Sequence, residues 1–495
     1  MVKRAGGALL LSIAVDRASS RPIATQLYVG LRDLILSGAV TAGTRLPASR
    51  TLARDVGVSR TTVIDAFERL ISDGILTSRV GSGTEVSAAM KSEPSRRSLP
   101  VPRPRPEPRV GRLAPAMGWV SGRLGERPVL PHSASAFISA LPAFDAFPVA
   151  EWARIAAKHW RSTRADVMGY GPSNGLLALR EAIVAHLGAN RGIACEREQI
   201  FIVGGAQQAF VQIAALLLEP GDKVWFENPG AIGARNGLLA SGARLVPVPV
   251  DGEGLAVAEG LRRSRQFRLA FVTPSHQQPL GHVMSLERRL QLLRAADEAG
   301  AWIVEDDYDG EFYFGKRPPA TLKSVDRNDS VIYVGTFSKS LFPALRLGFM
   351  VVPPVLVEPF NRALASYSPG VPSSVQAIVA EFMAEGHFAS HIRRMRAIYQ
   401  ERHDTLCEAA RAELDGLVDV ARSESGLHTV GHLAGGLTER AAMHAAEARH
   451  IVLAPLARFA IEPTGLCGMI FGFGAVTPPE IRRGAAVLAS ALRNL

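Results

Sequence analysis

A lysine at the end of a buried strand is the residue of this chain with the most chemistry to offer. Ser330 to Gly335 reads as a core strand, and it runs into the polar turn Thr336-Phe337-Ser338-Lys339-Ser340. An ammonium is costly to desolvate. A lysine held there tends to shed its proton and become a nucleophile toward carbonyls. Ser338 sets a small hydroxyl beside it, and Arg346 supplies a fixed cation seven residues on. An amine, a hydroxyl and a guanidinium are what pyridoxal 5'-phosphate requires: one amine for a Schiff base and two phosphate ligands. The plain alternative is a surface lysine that follows a strand.

Two further stretches bear on that choice. Val304-Glu305-Asp306-Asp307-Tyr308-Asp309 closes an apolar strand, and Asp306 and Tyr308 lie two apart, so they point the same way. An acid and a phenol on one face suit a pyridine ring. The acid pairs with the ring nitrogen and keeps it protonated, while the phenol bonds the ring oxygen. A solvated acidic turn is the alternative, and the run of carboxylates also admits Mg²⁺, although no Walker-type phosphate loop accompanies it. In Val203-Gly204-Gly205-Ala206-Gln207-Gln208-Ala209 a strand ends, two glycines turn and an apolar helix begins. Free amides at such a helix start make an anion site.

The motif Ser338-Lys339, a short gap, then Arg346-Leu347-Gly348 resembles that of the fold-type I aminotransferases. In that family the residues matching Asp306 and Tyr308 serve the ring nitrogen and ring oxygen. The resemblance implies that Ala206 and Gln207 hold the cofactor phosphate. Gly169-Tyr170-Gly171-Pro172 also matches, and there the tyrosine reaches the phosphate of the neighbouring subunit, so Tyr170 implies a homodimer made by the body of the chain.

These residues need a scaffold. The chain has 495 residues, 47% apolar and 21% charged, enough for two or three domains and a large core. Strand-like runs at Gln199 to Val203, Lys223 to Glu227, Arg244 to Val250, Arg268 to Thr273, Ala301 to Glu305 and Ser330 to Gly335 alternate with helical stretches such as Leu286 to Ala299. That alternation predicts an α/β fold on a mainly parallel sheet, with Lys339 at its carboxyl edge. Three scattered cysteines form neither a metal-ligand spacing nor a disulfide framework, as expected in a reducing cytosol. No metal site is predicted. The basic, then apolar N-terminus superficially looks like a signal peptide, but Asp16-Arg17 ends it early, and it reads as a short strand or arm. No apolar run is long enough for a membrane span.

The net charge of +10 is unevenly placed. Residues 1–130 hold 20 Lys and Arg against 10 Asp and Glu, and the remaining residues balance. A basic head on a neutral body points to a polyanion. Pro22 to Ser37 has helical apolar spacing, a second short helix is predicted from Arg45 through Val56, and Gly57 precedes a third that Ser59 caps. In the third, Val63, Ala66, Phe67 and Leu70 share a face, leaving Arg60 and Thr61 outward. Gly74 to Val86 reads as two strands around a glycine tip. The order describes a winged helix-turn-helix, with a protein-binding helical hairpin as the alternative. Leu46-Pro47-Ala48-Ser49-Arg50 through Val58-Ser59-Arg60-Thr61-Thr62 to Gly81-Ser82-Gly83 resembles the GntR family. The resemblance implies that Arg50, Ser59, Arg60, Thr61 and Thr62 contact double-stranded operator DNA, with Gly81 at the wing tip. Arg60 can reach a guanine edge bidentately.

Between head and body, prolines alternate with arginines from Pro94 to Pro115, which predicts an extended tether; an SH3-type ligand is the other use of such a run. The expected organisation is a DNA-binding head at 1–88, a linker at 89–130 and a cofactor body at 131–495. Head and body together resemble the MocR/GabR-type regulators, and Thr273-Pro274-Ser275-His276-Gln277 matches them too. Several positions depart from the family. Asn228 and Ala231 stand where an aspartate and a ring-stacking tyrosine are common. Gln278 replaces an asparagine. The late strand Leu466 to Phe473 carries Met469 and no substrate-carboxylate arginine. Arg235 and Arg458 are the candidate substitutes. The reading is a cytoplasmic transcription regulator that senses pyridoxal phosphate or a small amine or amino acid; the rival is an active aminotransferase carrying a DNA-binding head.

Overall fold

The computed structural model describes the chain apart from residues 1–12, 14, 20, 80–82, 92–134, 140, 162–163, 316–319 and 369. The N-terminal arm, the wing-tip Gly81 and nearly all of the proline-arginine tether lie outside the described residues. The chain divides into two compact units, Met1–Arg109 and Val110–Leu495.

In the first unit α1 (Ile23–Leu36), α2 (Ser49–Val56) and α3 (Arg60–Ser72) are followed by β1 (Leu76–Arg79) and β2 (Gly83–Val86). Their shared core takes Leu27, Leu31 and Ile35 from α1, Leu52 from α2, and Val63, Phe67 and Leu70 from α3. The strands pair antiparallel, Leu76 opposite Val86. α2 starts later than its sequence pattern predicts. Arg45 forms an antiparallel bridge with Glu85, and the Leu46 amide donates to Thr84 at 2.9 Å. Pairing with the wing holds Arg45 and Leu46 extended. Pro47 then keeps the residue before it out of helix, so the first helical residue is Ser49. Gly57, at φ +73°, ends α2 in the left-handed region.

The second unit is built on an eight-stranded sheet in the order β3-β10-β9-β8-β7-β4-β5-β6. Its strands are β3 (Ile200–Val203), β4 (Lys223–Asn228), β5 (Arg244–Asp251), β6 (Gly254–Leu255), β7 (Leu269–Val272), β8 (Trp302–Asp306), β9 (Val331–Thr336) and β10 (Gly348–Val351). β5, β4, β7, β8 and β9 are parallel neighbours. β3, β7 and β10 are buried throughout, the unbroken apolar pattern of a sheet covered on both faces. The covering helices include α4 (Leu177–Arg191), α5 (Ala206–Leu217), α6 (Ile232–Ala240) and α7 (Leu286–Ala299).

β10 is the strand that alternation alone does not foresee. It runs antiparallel between β3 and β9, with Gly348 opposite Thr336. β9 and β10 are therefore a hairpin, and its long tip carries Ser338, Lys339 and Arg346 on one connection. A smaller antiparallel sheet, β11 (Val418–Val420), β12 (His428–Leu433), β13 (Ala454–Pro455) and β14 (Gly468–Gly472), follows in the order β11-β12-β14-β13. It closes over the carboxyl edge of the large one.

Candidate functional site

β3, β4, β7, β8 and β9 end at one edge, since β3 and β9 are both antiparallel to β10. Their last residues deliver Gly204, Ala231, Gln278, Tyr308 and Lys339 to a single cavity of about 490 Å³. Lys339 and Ser338 sit in the one-turn helix α8 (Phe337–Ser340), whose start is fixed by the Ser338 amide donating to Thr336 Oγ1 at 3.1 Å. Arg346 returns to the same cavity from a left-handed backbone, φ +48° and ψ +47°, where a non-glycine residue is uncommon. Across from them α5 begins at Gly205, φ +94°, with no side chain capping it. The amides of Ala206 and Gln207 open that helix on the cavity wall. The contact here is close: a Cβ on Gly348 would lie 3.2 Å from Gly205 Cα.

The acidic run that ends β8 and continues just beyond it is dealt to different surroundings. Glu305 accepts from the amides of Leu322 and Lys323 at 2.7 and 2.8 Å on the far side of the strand. Asp307 pairs with buried Arg191 at 2.5 Å and accepts from Tyr333. Asp309 lies 3.0 Å from His276 Nδ1. Asp306 faces the cavity, as Asp309 also does, and its Oδ1 is buried without a hydrogen-bond partner among the described residues. Burial, then the charges of Asp307 and Asp309, push its carboxyl well above the ordinary range, while Lys339 pulls the other way. A cation above Oδ1 would meet an unspent acceptor. Tyr308 is likewise pushed up, by burial and then by Asp309, so its phenol keeps its proton.

His276, Asp309 and His428 present ligand atoms within 4.8 Å of one another, all buried. His276 Nδ1 and Asp309 Oδ2 already bond each other at 3.0 Å, so the group reads first as a hydrogen-bonded chain. Burial drives His428 down to about 4, leaving it neutral. The sequence offers Asp309 only as one of a run of carboxylates and gives His276 and His428 no chemical role. The signal available was a histidine within the family-like Thr273 to Gly281 stretch, with the partners on strands far away in the chain.

On the head, Arg50, Ser59, Arg60 and Thr61 are exposed along the start of α3 and on α2. Ser59 caps α3 by accepting from the Thr62 amide at 3.1 Å. The Thr62 hydroxyl, half-buried, lies 2.7 Å from Ser59 Oγ at the exposed start of the helix. Arg60 Nε reaches Ser49 Oγ at 3.4 Å, which ties the two helices of the turn together.

Two family models match the chain. "Bacterial regulatory proteins, gntR family" covers residues 23–86, and "Aminotransferase class I and II" covers 141–467. The Probable rhizopine catabolism regulatory protein MocR of Rhizobium meliloti is 38% identical over 98% of this chain and 96% of its own length. The chain is a MocR-type member of the GntR family. As such it is a DNA-binding transcription regulator with an aminotransferase-like body. The HTH-type transcriptional regulator TauR of Rhodobacter capsulatus is 33% identical over 76% of this chain and 77% of its own. Among solved structures, LysN, an α-aminoadipate aminotransferase from Thermus thermophilus complexed with N-(5'-phosphopyridoxyl)-L-leucine, matches with a TM-score of 0.70. It is 28% identical and covers 77% of this chain and 98% of its own. The class I and II aminotransferases are a pyridoxal-phosphate-dependent family, and the orphaned Asp306 oxygen and the uncapped α5 start in this MocR-type body fit that group. No helix among the described residues is long and apolar enough to cross a membrane.

The departures from the family pattern acquire positions. Met469 is not the late-strand residue that matters. It packs into the core, while its neighbour Ile470, on the opposite face of β14, lines the cavity. Arg235 is corrected from a candidate ligand to a brace: it is buried, does not line the cavity, and donates to the carbonyls of Ala460 and Arg458 at 3.1 and 3.3 Å. Asn228 acts on the same segment, accepting from the Ile461 amide at 2.7 Å and donating to Glu462 at 3.1 Å. Arg458 does line the cavity, on the short helix between β13 and β14. Tyr170 is fully exposed and stands outside the cavity lining of its own chain.

Proposed function

We propose that this regulator binds pyridoxal 5'-phosphate in the body's cavity and that an amine or amino acid entering the same cavity changes its hold on operator DNA. The observation that carries the reading is the meeting of Lys339, Asp306, Tyr308, Ser338 and Arg346 with the uncapped α5 start in one space of about 490 Å³. When bound, the cofactor supplies an aldehyde that condenses with amines and a ring that withdraws electrons. Each protein group has a matching task. Lys339 is the amine that holds the cofactor's carbonyl carbon. Asp306 keeps the ring nitrogen protonated, its own burial being offset by that charge. Tyr308 donates to the ring oxygen. Ser338, Arg346 and the amides of Ala206 and Gln207 hold the phosphate.

The effector's wall is of a different kind. Ile470, Phe459, Ala454 and Ile232 make it apolar, and Arg458 adds a guanidinium. In this reading Arg458 anchors the effector's carboxylate where the late strand offers Ile470. Tyr170, exposed on one subunit, completes the partner's phosphate site in a homodimer made by the body. On the head, Arg60 reads a base edge, while Arg50, Ser59 and Thr61 position α3 on phosphates. The protein works in the cytoplasm, where its operator lies.

The deciding experiment combines three readouts on one preparation: the visible absorbance of the chain with cofactor, borohydride trapping followed by peptide mass spectrometry, and operator affinity with and without cofactor and amines. A trapped adduct on Lys339, together with operator affinity that responds to the ligand, is the expected result. An adduct on another lysine would refute the site. The intact set around Lys339 favours a second reading, aminotransferase turnover. Multiple turnovers per second with operator binding indifferent to the cofactor state would establish it. A ligand shifts such a two-state equilibrium only by its difference in affinity for the two states.

A further inference from the structure

The hydrogen of Tyr308 has two competing claims on it. Its hydroxyl oxygen lies 3.0 Å from His276 Nδ1. Asp309 Oδ2 lies 3.0 Å from that same nitrogen. A neutral imidazole nitrogen carries either a proton or a lone pair, so Nδ1 serves one of these neighbours properly at a time. If Nδ1 holds the lone pair, Tyr308 donates to it and the Asp309 oxygen faces electron density. If Nδ1 holds the proton, it donates to Asp309, and the phenol hydrogen must turn elsewhere.

Burial decides between the two. His276 and Asp309 are both about 2% exposed or less, and Asp309 Oδ1 has no partner among the described residues. A buried carboxylate with one unpaired oxygen cannot also lose its other donor without a large desolvation cost. The proton therefore belongs on Nδ1, shared with Asp309. Tyr308 lines the cavity, so its hydrogen turns inward. The chain is also closed from behind. Gly426, at φ +85°, passes so near that a Cβ there would lie 2.2 Å from His276 Cε1 and 2.8 Å from Asp309 Oδ2.

We infer that His276 and Asp309 are positioning residues: they fix the tautomer of the imidazole and thereby aim the Tyr308 hydrogen at the ring oxygen of the cofactor. This rests on the reading that pyridoxal phosphate occupies the cavity. The other groups around Tyr308 are Asp306 and Asp307 on its own connection, Glu227 at the end of β4, Lys339 on α8, and neutral His428 on β12, whose ring stacks at 6.4 Å. None of them offers His276 Nδ1 a hydrogen bond.

Replacing Asp309 by Asn gives Nδ1 a donor in place of an acceptor and moves the imidazole proton to Nε2, so that Nδ1 draws the Tyr308 hydrogen back from the cavity. The test is a spectrophotometric pH titration of the cofactor's visible band in wild type, Asp309→Asn, Tyr308→Phe and the double variant. Asp309→Asn is expected to raise the apparent pKa of the band by about one unit, tenfold in proton affinity. It is expected to add nothing once Tyr308 is Phe. A band that stays in place in Asp309→Asn, or rises that add in the double variant, would overturn the inference. A second arm needs no cofactor and reads the wild-type chain. Nitrogen-15 histidine NMR of the wild-type chain, with His276→Gln to assign the signal, is expected to show the proton on Nδ1; a proton on Nε2 refutes the inference. Absence of a trapped adduct on Lys339 would instead remove the cofactor reading, and the nitrogen signal would still judge where the hydrogen sits.

Discussion

The two walls of the cavity are made differently. One comes from the carboxyl edge of the large parallel sheet and carries Lys339, Asp306, Tyr308, Ser338 and Arg346 on strand ends and tight turns. The other comes from the smaller antiparallel sheet and is mostly apolar, with Ile470, Ala454 and Phe459 beside Arg458. Behind the first wall, Asp307, next to Asp306 in the chain, is held by the buried Arg191 guanidinium. The second wall is held through backbone, with Asn228 and Arg235 gripping carbonyls and amides from 458 to 462. A wall built from side-chain chemistry tolerates few replacements. A wall held by its backbone can change its side chains and keep its shape, which suits a surface that selects among ligands.

The largest effect is expected on the first wall. Lys339→Ala is predicted to abolish the trapped adduct and the visible band altogether, with the denaturation midpoint of the cofactor-free chain changed little. A band that survives would mean that another amine holds the cofactor.

Next comes the joint between the walls. Gly426→Ala places a methyl against His276 and Asp309 at a left-handed backbone position. Backbone strain and overpacking together predict a loss of about 3–5 kcal/mol by denaturant titration of the body. A loss under about 1 kcal/mol would show that the two walls meet less tightly than the geometry implies.

Glu227, fully buried at the end of β4, tests the ground beneath the first wall. Burial pushes it up to about 7, against which Thr273 and Gln277 donate hydrogen bonds. The folded chain thus holds this proton more tightly than the unfolded chain, whose value is near 4.5. The stabilisation is complete below pH 4.5 and is lost as pH rises through about 7. Relative to Glu227→Gln, wild-type stability is predicted to fall by on the order of 3 kcal/mol across that window. Parallel pH profiles for the two proteins would place the charge of Glu227 inside the fold at neutral pH.

On the second wall, Arg458→Ala is predicted to raise the amino-acid concentration needed for an operator response by about 10–100-fold, the worth of a charge-assisted hydrogen bond. Cofactor trapping should remain intact, since no phosphate or ring contact is assigned to this residue. Loss of the adduct in this variant would merge the two walls into one functional unit. The smallest effect on the cavity belongs to the head. Arg60→Ala is predicted to cost roughly 1–3 kcal/mol at a specific operator and to relax base preference, with the visible band unaltered.

Much of this was legible in the chain because it is local. A lysine at a strand end, an acid and a phenol two residues apart and a capped helix after a glycine turn each occupy a short stretch, and their backbone periodicity dictates their direction. Which residue of β14 faces the cavity was not legible in the chain. Met469 and Ile470 point to opposite faces, and only the register with β12, Val430 opposite Ile470, says which face meets the cavity. The role of Arg235 was not legible for a related reason: what a buried guanidinium does is set by its spatial neighbours, and here those are the carbonyls of Ala460 and Arg458.

The sequence by itself determined the two-part organisation, the helix-turn-helix, the alternation of strands and helices, and the identity of the groups beside Lys339. These follow from composition, period and turn chemistry, which act over a few residues. The tertiary structure decided that β10 runs back between β3 and β9 to make a hairpin of the lysine turn, and that Glu305, Asp307 and Asp309 go to three separate partners while Asp306 turns to the cavity with an oxygen left over. It also brought His276, Asp309 and His428 together from three distant stretches. Those outcomes depend on which strand lies beside which and on which polar atom is left to be satisfied once the core has closed, and neither is written in any one segment of the chain.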